Sequence, residues 1–526
     1  MRNATWFHKA EASNTTFVLF LNNLLLTTFS IVICITSFFF VTLDHMIRNI
    51  QIFFTFCFLG CSSFGLTQSV TVSKEMSIRN DVAYDVIGVL EDNILLYRDK
   101  GTEKVVEIFD KSMKHLFDRE ITLEKKNTDV YAIVPQDTCF TIIYGYFDKR
   151  AYFMRARKYD HFGLMIDSVT FVNGDEDFKL DNFRYEVSED KSKTLLFTTR
   201  KGDLFYTYMI DNNEMSLNWV KESKLIGLNV RKDFRGALVS NKGEANVLFE
   251  IDNSKYDRKK HHLMLLGFDH NDGYYENKFT FDNKLTVDLE MGFDNANRRI
   301  ILAGLVSEDS EYDATGYFHL TKNIDNLEEI TLIEDEDFDV KFLEELYGKK
   351  LSKKKKLNNF VTRDLVLRGD GGFLLLAEMN KEYYRRSAFN GGTRAGGGFN
   401  GGGRGWVDIY NEDVIVFAVL PDGSVHWKKI LYKKQFSQDD GGVFSSYFLF
   451  KTPSRLRIIY NDEIKRNNTV SEYVMDPLGN FERNSLLSTE YQNLKLRFRD
   501  AVQVSSEVLI VPSERNFKLS LVKIEY

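Results

Sequence analysis

The sequence predicts an all-β protein, a single closed array of about eight small antiparallel sheets, and three observations predict it. A polar turn rich in Asp, Asn and Gly recurs roughly every fifty residues, each time between two apolar strands. Aromatic residues make up 14% of the chain, with 44 Phe and 25 Tyr, and such side chains suit the pleated surface of strands. Beyond Gln68 no segment sustains the 3.6-residue apolar period of an amphipathic helix.

The repeats run in order. Val105 to Phe109 leads through Asp110-Lys111-Ser112 into His115 to Leu123, and Tyr152 to Met154 through Asp160-His161-Phe162-Gly163 into Leu164 to Phe171. Phe205 to Ile210 precedes Asp211-Asn212-Asn213, and His262 to Phe268 precedes Asp269 to Gly273. Tyr317 to Leu320 is followed by Asn323 to Asn326, Val414 to Leu420 by Pro421-Asp422-Gly423, and Tyr473 to Met475 by Asp476-Pro477-Leu478-Gly479. Asp, Asn and Gly suit these turns because they tolerate the backbone angles of a tight hairpin. The turn aspartates 110, 160, 211, 269, 325, 422 and 476 are mostly spaced 50 to 58 residues apart, and the one gap of 97 contains two insertions. Each unit carries two further strands upstream, such as Val86 to Leu90 and Ile94 to Tyr97.

Four antiparallel strands at this period resemble the blades of a β-propeller. The resemblance covers Ser69 to Tyr526 and rests on the period and on turns such as Ser188 to Lys193 and Leu420 to Gly423. No blade carries a Trp-Asp signature. Val414 to Trp427, with Asp439 to Gly442 and Ser445-Ser446-Tyr447, is similar to uncharacterised exported bacterial propeller-like proteins, a similarity that implies no assigned activity. The C-terminus supplies about three strands (Ala501 to Val504, Val508 to Val511, Phe517 to Ile524), and Ser69 to Ile78 supplies one. Pairing first with last completes an eighth blade and removes an exposed edge. Seven blades is the nearest alternative.

The N-terminus reads as an address. Phe17 to Leu43 is uncharged and long enough to span a bilayer. Read from Met46, the chain shows a short basic region, the apolar run Ile50 to Leu66 and small residues near Ser63 and Gly65, the layout of a secretory signal over 46–68. Residues 1–45 then form an upstream extension or a membrane segment. Phe58-Leu59-Gly60-Cys61 resembles a lipoprotein box, which would make Cys61 the lipid-bearing residue, although Phe58 stands where Leu is usual. The expected location is outside the cytoplasm: periplasm, cell surface or secreted.

Two insertions interrupt the ring. Residues 335–358 begin acidic, include the apolar Phe342, Leu343 and Leu346, and end in Lys353 to Lys356. A short helix with a basic tail on a solvated excursion fits that pattern. Residues 387–405 hold nine glycines with Arg394, Phe399 and Arg404, followed by Trp406. The plain reading is a flexible linker; the functional one is a loop whose arginines and aromatics grip a flat or anionic ligand. Gly396-Gly397-Gly398 lacks the Lys-Ser/Thr pair of a phosphate loop.

No reaction is legible. The histidines are scattered, the adjacent His261 and His262 point to opposite faces of a strand, and no metal-ligand spacing occurs. Asp175 to Asp177 and Asp269 to Asp272 lack the spacing of a calcium loop. Cys139 lies in an apolar run that makes a thiol inert, and it is the single cysteine beyond residue 61. A net charge of −7 argues against nucleic acid. The sequence therefore leads to a binding or scaffold propeller for a protein or glycan of the cell envelope, with no catalytic residue, metal or cofactor. The alternatives are a carbohydrate-active enzyme, marked by carboxylates over an aromatic-lined pocket, and a structural envelope lipoprotein.

Overall fold

The computed structural model describes residues 68–175, 183–200, 204–225, 227–270, 274–326, 330–351, 356–385, 406–462, 464, 469–488 and 493–526. The expectations for residues 1–67, Cys61 among them, fall outside this set.

Eight four-stranded antiparallel blades follow one another. Blade 1 comprises Ala83–Leu90, Asn93–Asp99, Lys104–Phe109 and His115–Glu120, and blade 2 comprises Asp129–Pro135, Cys139–Asp148, Ala151–Asp160 and Met165–Asp175. Blades 3 to 7 begin at the inner strands Arg184–Val187, Phe234–Val239, Leu285–Asp294, Phe360–Leu367 and Tyr447–Lys451. Blade 8 joins the two ends of the chain: Val502–Gln503, Val508–Arg515 and Lys518–Glu525 are completed by Ser69–Val72, whose register sets Ser69 opposite Glu525 and Val72 opposite Val522.

Eight apolar cores hold the ring, each shared by two consecutive blades. The last of them sets Ile510, Leu519 and Leu521 of blade 8 against Ile94, Leu96 and Phe109 of blade 1. This arrangement explains the burial pattern. A middle strand such as Lys104–Phe109 is covered by a blade on each face and buried throughout, whereas the outer strand His115–Glu120 alternates towards solvent. The protein is thus an eight-bladed β-propeller.

The aspartate turns join third to fourth strands. The carboxylate of Asp110 accepts from the backbone N–H groups of Ser112 and Lys114, that of Asp160 from Phe162 and Leu164, and that of Asp476 from Leu478 and Asn480, all at 2.8 to 2.9 Å. Gly163 and Gly479 take the left-handed backbone that closes the turn, with φ of +73° and +81°. Because the strands alternate in direction, these hairpins and those between first and second strands share one face of the ring. The opposite face carries the long connections 252–261, 308–315 and 432–446 and the described part of 338–359.

The first insertion is shorter and better packed than a solvated excursion. Asp335 and Asp337 still belong to the outer strand Ile330–Asp337 of blade 5. The helix Val340–Tyr347 starts on Asp339, whose carboxylate accepts from the Phe342 N–H at 2.8 Å. Its one apolar face buries Phe342, Leu343 and Leu346 in the core between blades 5 and 6, where Phe338 stacks on Phe417. A three-residue apolar stripe on two turns is enough to fold a loop back onto the ring. Among the described residues no helix is long and apolar enough to cross a membrane.

Candidate functional site

The inner strands neighbour one another around the axis, and they bring charge to it. Asp85, Glu186, Arg235, Asp288, Glu290, Arg363 and Asp364 all lie on these strands. Arg235 pairs with Asp288 at 2.7 Å and approaches Glu250 at 3.5 Å. Asp288 also accepts from the backbone N–H of Thr362 at 2.9 Å, tying blade 5 to blade 6. Arg363 donates to Glu378 at 2.9 Å, and Tyr447 donates to Asp364 at 2.8 Å.

Carboxylates outnumber cations here, and burial raises the proton affinity of some of them. Burial pushes Glu250 and Glu290 up to about 7, opposed at Glu250 by Arg235 and reinforced at Glu290 by Asp288 and Asp364. Burial likewise pushes Glu186 up to about 7, and burial together with the charge of Asp500 pushes Asp85 up to about 6. Asp85 and Glu186 remain exposed to solvent, so the walls around them count for less than at Glu250 and Glu290.

On the face of the long connections a cleft of about 1270 Å³ opens across blades 1, 2 and 3. Tyr84 and Asp85 enter from the inner strand of blade 1, Asp129 and Tyr131 from blade 2, and Tyr185 from blade 3. Phe147, at the end of the second strand of blade 2, forms part of the rim, with Lys125 and Lys126 nearby. Phe147 and Tyr185 are each 42% exposed and Val82 75% exposed, so all three present apolar surface to the hollow. The rings are held from behind: Phe147 packs on Tyr152 at 4.9 Å, Tyr131 hydrogen-bonds Tyr152, and Tyr84 donates to Glu514 at 3.0 Å. Lys125 pairs with Asp148 at 3.0 Å. The result is a hollow with fixed aromatic faces and carboxylates at its inner end, which suits a ligand with apolar faces and many hydroxyls.

Arg394, Phe399 and Arg404 fall outside the described residues. The backbone of Trp406 opens the third strand of blade 6, opposite Arg385. Cys139 is buried, its thiol donating to Gln136 at 3.2 Å. His261 is buried with Nδ1 on the Ile251 carbonyl at 3.0 Å, and the ring of His262 reaches the Lys260 carbonyl. One metal-like grouping exists among the described residues, Glu107 with His115 and Asp118, all within 4.8 Å. Glu107 is already bound by the Arg98 guanidinium, which leaves a poor donor set. The cleft residues escaped notice because they are far apart in sequence. The available signal was the charge placed inside the otherwise apolar strands at Asp85, Glu186 and Arg235.

The sequence matches no family model and no curated protein. Among solved structures it is similar to the β-propeller domain of the Trilobed protease from Pyrococcus furiosus, at 12% identity and TM-score 0.35, covering 80% of this chain and 98% of that one. It is similar to an uncharacterised protein from Listeria monocytogenes, at 7% identity and TM-score 0.34, covering 68% and 83%. A third likeness is to the periplasmic gluconolactonase of Pseudomonas aeruginosa, at 10% identity and TM-score 0.33, covering 80% and 96%. The eight-bladed ring itself rests on the strand pairing and the shared cores described above.

Proposed function

We propose that this propeller is a binding protein that works outside the cytoplasm and takes a glycan in the cleft of blades 1 to 3. The observation that carries this reading is the pair of exposed rings, Phe147 and Tyr185, facing one hollow whose inner end holds Asp85 and Asp129. Aromatic faces cover the C–H faces of a sugar, while carboxylates accept from its hydroxyls. The uncharged run Phe17 to Leu43 and the signal-like layout after Met46 support delivery out of the cytoplasm.

A second reading, hydrolysis of the bound glycan, is favoured by one observation. Asp85 and Asp129 both line the cleft, and a pair of carboxyls flanking the bound sugar is what glycosidic cleavage uses. A glycan array probed with the full chain, beside a Phe147→Ala variant, tests the binding reading. Retention of an oligosaccharide by the first and its loss by the second is the expected result. Reducing ends released from that oligosaccharide would favour hydrolysis. Fractionation of cells carrying the full-length gene tests the location, with the protein expected in the envelope or medium.

A further inference from the structure

A smaller pocket lies between blades 6 and 7 on the face of the hairpins, opposite the face that bears the glycan cleft. It encloses about 360 Å³, at the lower end of the range for small-molecule sites. Its lining comes from 366–370 and 452–456, around the first hairpins of the two blades, and from Leu374, Trp427 and 475–477. All of these are among the described residues. The floor is apolar. Val366, Leu374 and Met475 belong to the core shared by the two blades, with Leu456 and Trp427 packed against it. The Trp427 indole N–H donates to the Pro477 carbonyl at 3.3 Å, which fixes the plane of the ring.

The polar rim has its acceptors engaged and donors to spare. Asp370 accepts from Arg368 at 2.5 Å and from the Gly372 N–H at 2.9 Å. Asp476 accepts from the N–H groups of Leu478 and Asn480 at 2.9 Å and from the Asn480 side chain at 3.0 Å. The Thr452 hydroxyl donates to the Arg455 carbonyl and accepts from its N–H. By contrast, Nη1 of Arg368 is buried with no hydrogen-bond partner among the described residues, and a buried donor without an acceptor is costly. The Arg455 guanidinium stands 3.9 Å from Glu482, beyond hydrogen-bond reach. The charged lining is two arginines and two aspartates, so its formal charge is zero.

We infer that the pocket between blades 6 and 7 binds a small uncharged molecule that joins an apolar ring to a carbonyl group. The ring lies against Trp427, Leu374 and Met475, and the carbonyl accepts from Arg368 or Arg455. A neutral lining has no net attraction for an ion, and a carboxylate is costly to take out of water over an apolar floor. The site is independent of the glycan cleft and differs from it in chemistry: the cleft offers carboxylates to hydroxyls, and the pocket offers N–H donors to a carbonyl.

The test is a ligand-observed NMR titration of the full chain with indoleacetamide, with skatole (the same ring without a carbonyl) and with indoleacetate (its charged counterpart). Indoleacetamide is expected to bind about fivefold or more tighter than skatole, at least as tightly as indoleacetate, and with little response to salt. Arg368→Met and Arg455→Met are together expected to lower indoleacetamide affinity about fivefold and to leave skatole unchanged. Trp427→Leu is expected to weaken both probes through the lost ring contact. Thermal melts check folding; if Arg368→Met does not fold, Arg455→Met alone carries the same expectation. The inference is overturned if indoleacetamide at about 2 mM shows no binding, a level that detects millimolar affinity. Equal affinity for skatole, tighter binding of indoleacetate, or unchanged affinity in the folded arginine variants overturns it as well. Phe147→Ala is expected to leave indoleacetamide binding intact, so that a failure here and a failure of the glycan reading are told apart.

Discussion

The hydroxyl of Ser69 donates to the carboxylate of Glu525 at 2.9 Å, and the two residues are cross-strand partners in the sheet that closes the ring. Ser69 is exposed and Glu525 only half-buried, so the hydrogen bond itself contributes little; the closure is held by what lies beneath it. Val70 packs on the core shared by blades 7 and 8, opposite the buried Ile524.

Val70→Asp therefore places an unpaired charge on that core and is expected to cost about 2 kcal/mol or more, while Ser69→Ala changes stability by less than about 0.5 kcal/mol. Denaturant unfolding measures both. Loosening the Ser69–Val72 strand also bares the ladder of Lys518–Glu525, so light scattering should show concentration-dependent association for Val70→Asp alone.

The turn glycines separate strain from clash. A Cβ on Gly479 would stand 2.7 Å from the Trp427 ring at φ +81°, whereas one on Gly348, at φ +61°, meets nothing within 4 Å. Gly479→Ala is expected to cost roughly 2–3 kcal/mol and Gly348→Ala about 1 kcal/mol. Equal losses in thermal melts would show that the Trp427 contact gives way freely.

Between blades 6 and 7, Lys433 and Glu378 form a fully buried ion pair at 2.6 Å. Burial holds the Lys433 ammonium below its ordinary range, against the pull of Glu378. Lys433 also donates to the Gln435 side chain at 2.8 Å and to the Asn411 carbonyl at 3.1 Å. Lys433→Met leaves the Glu378 carboxylate to Arg363 and Ser446 and is expected to cost roughly 2–3 kcal/mol through the lost charge-assisted contact. Adding Glu378→Gln should recover part of that loss, and a double-mutant cycle by chemical denaturation measures the recovery.

The channel carboxylates make stability depend on pH. An acid whose folded value is raised holds its proton more tightly in the native state. Its contribution is therefore greatest below its ordinary range and is lost as pH rises through the folded value. For Glu290, raised to about 7, the loss falls between about pH 4.5 and 7. Glu290→Gln is expected to stabilise the protein at pH 8 by about 1 kcal/mol and to leave it unchanged at pH 4. Melting curves at the two pH values check the sign.

Much of the ring was legible because each blade repeats a local rule. Asp110, Asp160 and Asp476 show their hairpins in the sequence, since an aspartate turn needs only its own neighbours. The helix Val340–Tyr347 was visible from its apolar stripe, but its burial was not, because that depends on Phe417 some seventy residues on. The cleft was illegible for the same reason. Asp85, Asp129, Phe147 and Tyr185 share no motif and meet only because successive inner strands converge on the axis.

The proposed glycan platform is formed by Phe147 and Tyr185. It is tested most directly by titrating the oligosaccharide selected on the array into wild-type protein, Phe147→Ala, Tyr185→Ala, and Phe481→Ala as an exposed aromatic control on the outer strand of blade 7. About a tenfold or greater loss of affinity is expected for each cleft variant, as for ring contacts at the centre of a site, and none for Phe481→Ala. Wild-type affinity in both folded cleft variants, or an array that yields no bound glycan, would contradict it.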